Sequence, residues 1–502
     1  MVQGLNPAHY LQTGLIWYYT QSDMTFYFYD VETSGFNPRH NRIMQFGGQR
    51  TGMDLEPIGQ PDNFLIKMTP DVLPEPDAVL THGITPQQTL ADGLSEAEFL
   101  KHFSAKIASP NTIMVGFNNI RFDDEFMRFT LWRNFYDAYE WQWKNGSSKW
   151  DLLDVVRMTR ALRPDGIEWP FAPDGKASNR LEFLSSVNKI GHDSAHDALS
   201  DVKAEMAIAQ LIKSKQPKLF EYLLSLRSKT NVEVLVNKRE PFIYTSGRYS
   251  SEFHKTTIAT KLAADADNRG SFVYDLRTDP KAYLKMSPKQ LADKWKYRPR
   301  KEKEPDEEQF PVKLLAYNRN PAIAPLSVLD GASKARLKID MNDINKNLKA
   351  LRAAKGFDKA ILEARELLYP AAQPKLLIDE QQVDGQLYDG FVSEQDRIKA
   401  RMVRAADSGE LSSLNPDFAD ERLQLLFPLY KARNFPKSLS KSEQTWWEEF
   451  KVRRLLDGGE TSKAAAYFKR LEELRNQKST NDQQKHLLEE LDLYGQSVIP
   501  AA

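Results

Sequence analysis

A chain of 502 residues exceeds what one hydrophobic core ordinarily holds, so two to four domains are expected. Its 41% hydrophobic and 27% charged residues exclude a disordered polymer, while the complete lack of cysteine excludes disulfides and thiolate metal centres and favours hard cations on carboxylate and imidazole. Sixty-nine basic residues balance sixty-nine acidic ones, so any affinity for nucleic acid has to come from a local basic groove.

Leu15 to Tyr19 is apolar but far too short for a bilayer and lacks the charged flank of a signal peptide, so a cytoplasmic protein with no membrane partner is expected. Residues 1–24 read as a disordered extension, because Met24 stands directly before the first convincing strand. Thr25 to Val31 is a β-branched and aromatic run ended by Thr33-Ser34-Gly35, which predicts a buried strand leaving through a turn. Further strands are predicted at Ile43 to Gly48, Phe64 to Met68 and Thr112 to Gly116. Helical spacing occurs at Glu96 to Ile107, Asp124 to Phe135, Leu152 to Leu162, Leu181 to Val187 and Asp197 to Lys213, making 25–215 an α/β or α+β domain. Past Gln216-Pro217, short alternating segments at Val232 to Val236, Phe242 to Tyr244, Ser271 to Leu276 and Val312 to Tyr317 predict a β-rich unit over 216–370. The charged run Lys294 to Glu308, with two prolines, reads as a solvated loop within it. From about residue 335 the pattern turns helical, breaks at Tyr369 to Pro374, and ends in a charged helical tail from Thr461 to Tyr494; 371–502 is the expected helical domain.

Three acidic elements carry the chemistry. Asp30 and Glu32, two apart near the C-terminal end of a strand, project from one face, and a divalent ion between them relieves their repulsion. Alone, D-x-E is more often a partly exposed strand end. The second element, Gly116 to Asp124, is a strand exit and helix start in which Asp123 is either a helix cap or a ligand. The third is His196-Asp197-Ala198-Leu199-Ser200-Asp201, where the five-residue separation places His196 in the loop and Asp201 in the first turns of a helix. A lone histidine there is usually structural, but the three elements in one order within one domain are unlike a chance set.

Their pattern resembles the DEDDh subgroup of the 3′-to-5′ exonuclease superfamily. Residues 26–35 (FYFYDVETSG), 115–125 (VGFNNIRFDDE), 149–170, 178–184 (SNRLEFL) and 195–202 (AHDALSDV) resemble the bacterial exonuclease I family, as do the late segments 387–391 (LYDGF) and 431–436 (KARNFP). The resemblance covers nearly the whole chain from about Thr25. It implies a ribonuclease H-like exonuclease domain of mixed sheet and helices, a small SH3-like β-rich domain and an all-α C-terminal domain, folded as a monomer.

It also implies an activity: 3′-to-5′ degradation of single-stranded DNA to 5′-mononucleotides, in DNA repair and recombination. Asp30, Glu32, Asp123 and Asp201 would hold two Mg²⁺ ions, with Mn²⁺ as substitute, and His196 would accept or orient the proton of the attacking water. Arg121, Arg128 and Arg180 are candidate contacts to DNA, Arg180 through the S-x-R-L-E element. Trp132, Trp141 and Trp143 are assigned to core packing rather than to stacking on bases. The family docks the acidic tail of the single-strand DNA-binding protein, and Arg163, Tyr222 and Arg352 fall at positions of that site. Pro325 and Asp330 stand where the family has a glutamine and an arginine, so weaker or rearranged docking is expected. The competing readings are an exoribonuclease of the same superfamily and a catalytically silent DNA-binding adaptor; intact possession of all five site residues argues against the latter.

Overall fold

The computed structural model describes residues 24–191, 196–266, 269–296, 309–370 and 377–499; the expected N-terminal extension and most of the predicted charged loop lie outside them. Four consecutive aromatic residues, Phe26 to Tyr29, are all buried, so the strand that carries them is covered on both faces. That strand, β1 (Thr25–Thr33), is the centre of a five-stranded mixed sheet with β2 (Ile43–Thr51), β3 (Asp62–Leu65), β4 (Thr112–Gly116) and β5 (Ser148–Asp151), in the order β3-β2-β1-β4-β5. It pairs antiparallel with β2 and parallel with β4.

Helices α1 (Pro76–His82), α2 (Pro86–Asp92) and α3 (Glu96–His102) follow the first three strands. A π turn at Phe103–Ile107 completes the helical stretch expected to run from Glu96. After β4 come α4 (Asp123–Arg133), then α5 (Leu152–Leu162), α6 (Leu181–Val187) and α7 (Ala198–Lys215). Tyr27 and Tyr29 pack with Phe46, Phe99 and Phe103 on one face of the sheet, and Phe26 and Phe28 join Val155, Val202 and Ile208 on the other.

The second sheet is wholly antiparallel, ordered β10-β6-β7-β8-β9, from β6 (Phe242–Thr245), β7 (Thr256–Ala264), β8 (Gly270–Asp275), β9 (Val312–Ala316) and β10 (Ala322–Pro325). It follows α8 (Pro217–Ser225) and α9 (Lys229–Asn237). The strand-like run Val232 to Val236 is therefore helical: its valines at 232 and 236 are buried four apart, a spacing that a helix satisfies as well as a strand does. Lys294 and Trp295 end α10 (Pro288–Trp295) instead of opening a loop. After the short α11 (Gly331–Arg336), α12 (Met341–Ala353) and α13 (Phe357–Leu368) pack Ile344, Phe357 and Ile361 on Ile258 and Phe272, so the first helices past residue 335 complete the core of the β-rich unit.

The remaining helices are α14 (Glu394–Ala405), α15 (Ser408–Ser413), α16 (Glu421–Asn434), α17 (Lys441–Leu456), α18 (Lys463–Arg475) and α19 (Asp482–Val498), the predicted tail being a helical pair. They grip the exonuclease-like domain twice. Trp132 and Phe135 join Leu426 and Tyr430 in one core, and Met44 and Val79 join Tyr467 and Leu488 in another. Between these contacts lies a buried charge cluster: Asp71 and Asp384 share Arg42, Arg433 and Arg454, with Arg433 2.7 Å from Asp71 and 2.8 Å from Asp384. Among the described residues no helix is long and apolar enough to cross a membrane.

Candidate active site

Side-chain alternation along β1 puts Asp30 and Glu32 on the face of Phe26 and Phe28, the face that α7 covers. Asp201, in the first turn of α7, there meets Glu32, and His196 joins them from the preceding loop. Ligand atoms of Glu32, His196 and Asp201 all lie within 4.8 Å of one another. His196 adopts a left-handed backbone with φ of 67°, uncommon for a residue other than glycine. Asp123 enters from the start of α4, and its carboxylate accepts the Val31 N–H at 3.3 Å; the helix-cap position itself belongs to Phe122.

The start of α7 is tied to the sheet. Gln45 lies opposite Glu32 in the β1–β2 register. Its amide donates to Asp197 at 2.8 Å and accepts from the Ala198 N–H at 3.1 Å, while Asp197 caps the helix through the Ser200 N–H. Close approach requires glycine at 47, where a Cβ would stand 2.5 Å from the Ala198 backbone.

Burial, with repulsion from Asp123, Glu32, Glu205 and Asp201, raises the Asp30 carboxyl well above the usual carboxylate range. Burial pushes Glu32 up to about 9, with Asp201, Asp123 and Asp197 adding repulsion. Asp123 rises to about 7 because burial outweighs the backbone N–H groups that it accepts. Carboxylates that hold protons so firmly are short of positive charge, and an all-oxygen donor set of this kind fits hard divalent cations.

Unfolded carboxylates titrate near about 4, whereas these titrate higher when folded, so the folded chain binds the extra protons across that window and loses stability as pH rises through it. The metal-free protein is expected to melt at falling temperature from about pH 5 to about pH 9, with divalent cation restoring stability most at the alkaline end. Thermal melts in EDTA and in Mg²⁺ across that range check this; an EDTA series that is flat or rises with pH contradicts it.

Some site residues carried no sequence signal. His82 stands beside His196, its Nε2 3.2 Å from the Thr33 carbonyl and its Nδ1 accepting from the Ile84 N–H; burial lowers it to about 4, which keeps it neutral. Asp151 caps α5 and also accepts the Asn118 N–H. Glu205, one turn beyond Asp201, was hidden in the apolar stripe of α7, although its i+4 spacing from a candidate ligand could have exposed it.

The other predicted residues fall outside this cluster of ligand atoms. Arg121 is exposed at the mouth of a groove of about 760 Å³ that is also lined by Arg128, Lys149, Arg227, Arg269 and Arg319. Arg128 is nearly buried there and engages Glu125, Asp124 and Gln142. A second hollow of about 960 Å³ shares Tyr139, Trp143, Ser147 and Tyr388 with the first and adds Trp132, Phe135 and Phe391. Trp132 and Trp141 are buried as expected, but Trp143 is 63% exposed, because it sits in a short irregular segment between α4 and β5. Arg180 is exposed at the start of α6, with the Glu182 carboxylate 4.0 Å away.

Arg163 and Tyr222 both reach the segment that begins with β10: Tyr222 donates to the Ile323 carbonyl at 3.0 Å, and Arg163 donates to the Val328 carbonyl at 2.8 Å and faces Asp330 at 3.5 Å. Arg352 lies at the opening of β6, whose Phe242 pairs with Pro325, and contacts the Arg239 carbonyl and Glu240.

Comparison with known proteins matches residues 27–209 to an exonuclease domain, 227–364 to the exonuclease I SH3-like domain and 381–498 to the exonuclease I C-terminal domain. The chain is similar to exodeoxyribonuclease I of Haemophilus influenzae, 37% identical over 478 residues that cover 94% of this chain and 98% of the relative. It is also similar to the zinc-bound Escherichia coli exonuclease I complex with single-stranded DNA, with a TM-score of 0.88, 34% identity, and coverage of 95% and 100% of the two chains. A structure of exonuclease I with the single-strand DNA-binding protein and an inhibitor gives a TM-score of 0.84 at 34% identity, covering 95% and 99%.

Proposed function

The chain belongs to the exonuclease I family, and on that premise we propose that Asp30, Glu32, Asp123 and Asp201 hold two Mg²⁺ ions while His196 takes the proton of the attacking water. The protein is a 3′-to-5′ exonuclease of single-stranded DNA, a divalent-metal-dependent phosphodiester hydrolase with the DNA-repair role general to its family. The observation that carries the residue assignment is the convergence of Glu32, Asp201 and His196 within 4.8 Å, on the sheet face that also bears Asp30.

When bound, the ions supply the positive charge that activates water and stabilises the departing 3′ oxygen. The residues do the rest. The four carboxylates fix where the terminal phosphodiester stops, and Gln45 and Asp197 hold α7 so that Asp201 keeps its place over β1. His196, exposed at the rim, accepts the proton on a ring nitrogen. Hard cations prefer oxygen, which leaves the imidazole free for this duty. Upstream nucleotides run along the basic groove, where Arg121 meets phosphates, and into the aromatic hollow, where Trp143 and Tyr388 offer faces to bases. Arg180 neutralises backbone charge at the cleft, and Arg128 steadies the groove wall through Glu125.

In the test, a single-stranded DNA carrying a 3′-terminal label is incubated with the protein in Mg²⁺. Labelled 5′-mononucleotide appears first, EDTA stops its release, and Mn²⁺ restores it. Label retained until the last cut, or faster loss from a matched RNA, contradicts the assignment.

The same reading places the acidic tail of the single-strand DNA-binding protein at Arg163, Tyr222 and Arg352. Here the Asp330 carboxylate sits on Arg163 and competes with the tail for it. Asp330→Ala is expected to tighten a tail peptide about 2- to 5-fold, the span of one exposed ion pair, read by fluorescence anisotropy. Unchanged or weaker affinity would place the tail elsewhere.

A further inference from the structure

The structure points to one more carboxylate in this centre, and we propose that Glu205 is a positioning residue of the metal site, standing behind Asp201 and Asp30 and strengthening their hold on divalent cations. The inference rests on the ligand assignment above.

Glu205 lies one helical turn from Asp201 on the buried stripe of α7 and is 1% exposed. One carboxylate oxygen accepts the Phe117 N–H at 3.1 Å, just past the end of β4. The other, Oε2, is buried and has no hydrogen-bond partner among the described residues. Among the described residues no lysine, arginine or histidine forms an ion pair with it; the acids Asp123, Asp201 and Asp151 bear on it, and it in turn bears on Asp30.

Accepting one backbone N–H does not explain an acid here, since a neutral amide would serve equally without burying a carboxyl among like groups. A buried oxygen left without a partner calls for a cause, and an acid one helical turn from Asp201 and within the field of Asp123 and Asp30 has one when cations fill that cluster. Residues behind metal ligands set ligand orientation and the local field, and losing one typically weakens the metal by about 10- to 100-fold. Asp151 sits in similar surroundings, but its Oδ1 takes both backbone donors and its other oxygen is not a buried unpartnered one, so among the described acids of this centre Glu205 is the one with a buried, unanswered oxygen.

The test compares Glu205→Gln, Glu205→Asp and Asp201→Asn with the parent. Mn²⁺ binding is measured on the metal-free protein by electron paramagnetic resonance of the free ion, and melting is measured in EDTA at pH 8. Glu205→Gln keeps an acceptor for Phe117 and is expected to weaken Mn²⁺ binding about 10- to 100-fold while raising the EDTA melting temperature. Glu205→Asp keeps the charge and is expected to retain most of the affinity. The higher melting temperature shows that the variant is folded, and a purely structural glutamate would leave Mn²⁺ binding unchanged. If Asp201→Asn weakens binding and Glu205→Gln does not, the role of Glu205 is overturned and the ligand assignment stands. If Asp201→Asn also leaves binding unchanged, the ligand assignment itself fails.

Discussion

Asp30→Asn is expected to cut nucleotide release from single-stranded DNA by far more than the roughly 100-fold that loss of a residue behind a metal ligand costs. Asparagine keeps the shape of the side chain and removes the charge. Asp30 occupies the middle of the cluster, where Asp123, Glu32, Glu205 and Asp201 all act on it, so its charge is the one a bound cation offsets most directly. Affinity for single-stranded DNA in EDTA is expected to stay within a few-fold of the parent, because Arg121, Lys149 and the other groove cations are untouched. The variant is also expected to melt higher without metal, since one buried acid among like charges has been neutralised. Initial rates on a 3′-labelled oligonucleotide, with anisotropy for binding, separate these effects. A variant within tenfold of the parent rate would remove Asp30 from the ligand set.

Asp384→Ala is expected to have the largest effect on stability. The Asp384 carboxylate lies between Arg42 of the catalytic domain and Arg433 and Arg454 of the helical domain, with all four side chains at most 3% exposed. These guanidinium groups hold it far below the usual carboxylate range against the cost of burial. Its removal leaves three buried arginines facing Asp71 alone. Breaking such a set from one side costs about 3–5 kcal/mol, because the uncompensated charge stays in a low dielectric. The loss should fall on the seam between the domains, so limited proteolysis and hydrogen exchange in α16 and α17 are the appropriate readouts beside melting. The segment holding Asp384 also bears Tyr388, whose hydroxyl donates to Glu125 in the groove wall, and Val383, whose carbonyl accepts from the Trp132 indole. Weakened DNA binding is therefore expected to accompany the loss. A cost below about 1 kcal/mol would mark the cluster as replaceable by ordinary packing.

The candidate acids were legible because their signals are local. D-x-E on an apolar strand has only one face to point toward, and His196 five before Asp201 has only a loop-then-helix solution. Trp143 was misplaced because tryptophan composition does not report which of three neighbouring rings faces outward. The run Val232 to Val236 was misread because two valines four apart satisfy either periodicity. Glu205 was passed over because an acid among the apolar residues of a helix carries no mark of burial, and only its spacing of four from Asp201 links it to the site.

Residue order alone established the exonuclease-like domain, its five candidate catalytic side chains and the β-rich and helical regions that follow, since each rests on periodicity, a turn or a short spacing. Tertiary structure decided what depends on partners distant in the chain: Gln45 holding α7 from another strand, the Asp71–Asp384 cluster joining residues more than three hundred apart, Asp330 lying against Arg163, and the groove walls meeting at Tyr388. Burial and Coulomb energy depend on distance through space, which pairing and packing set and which no local pattern encodes.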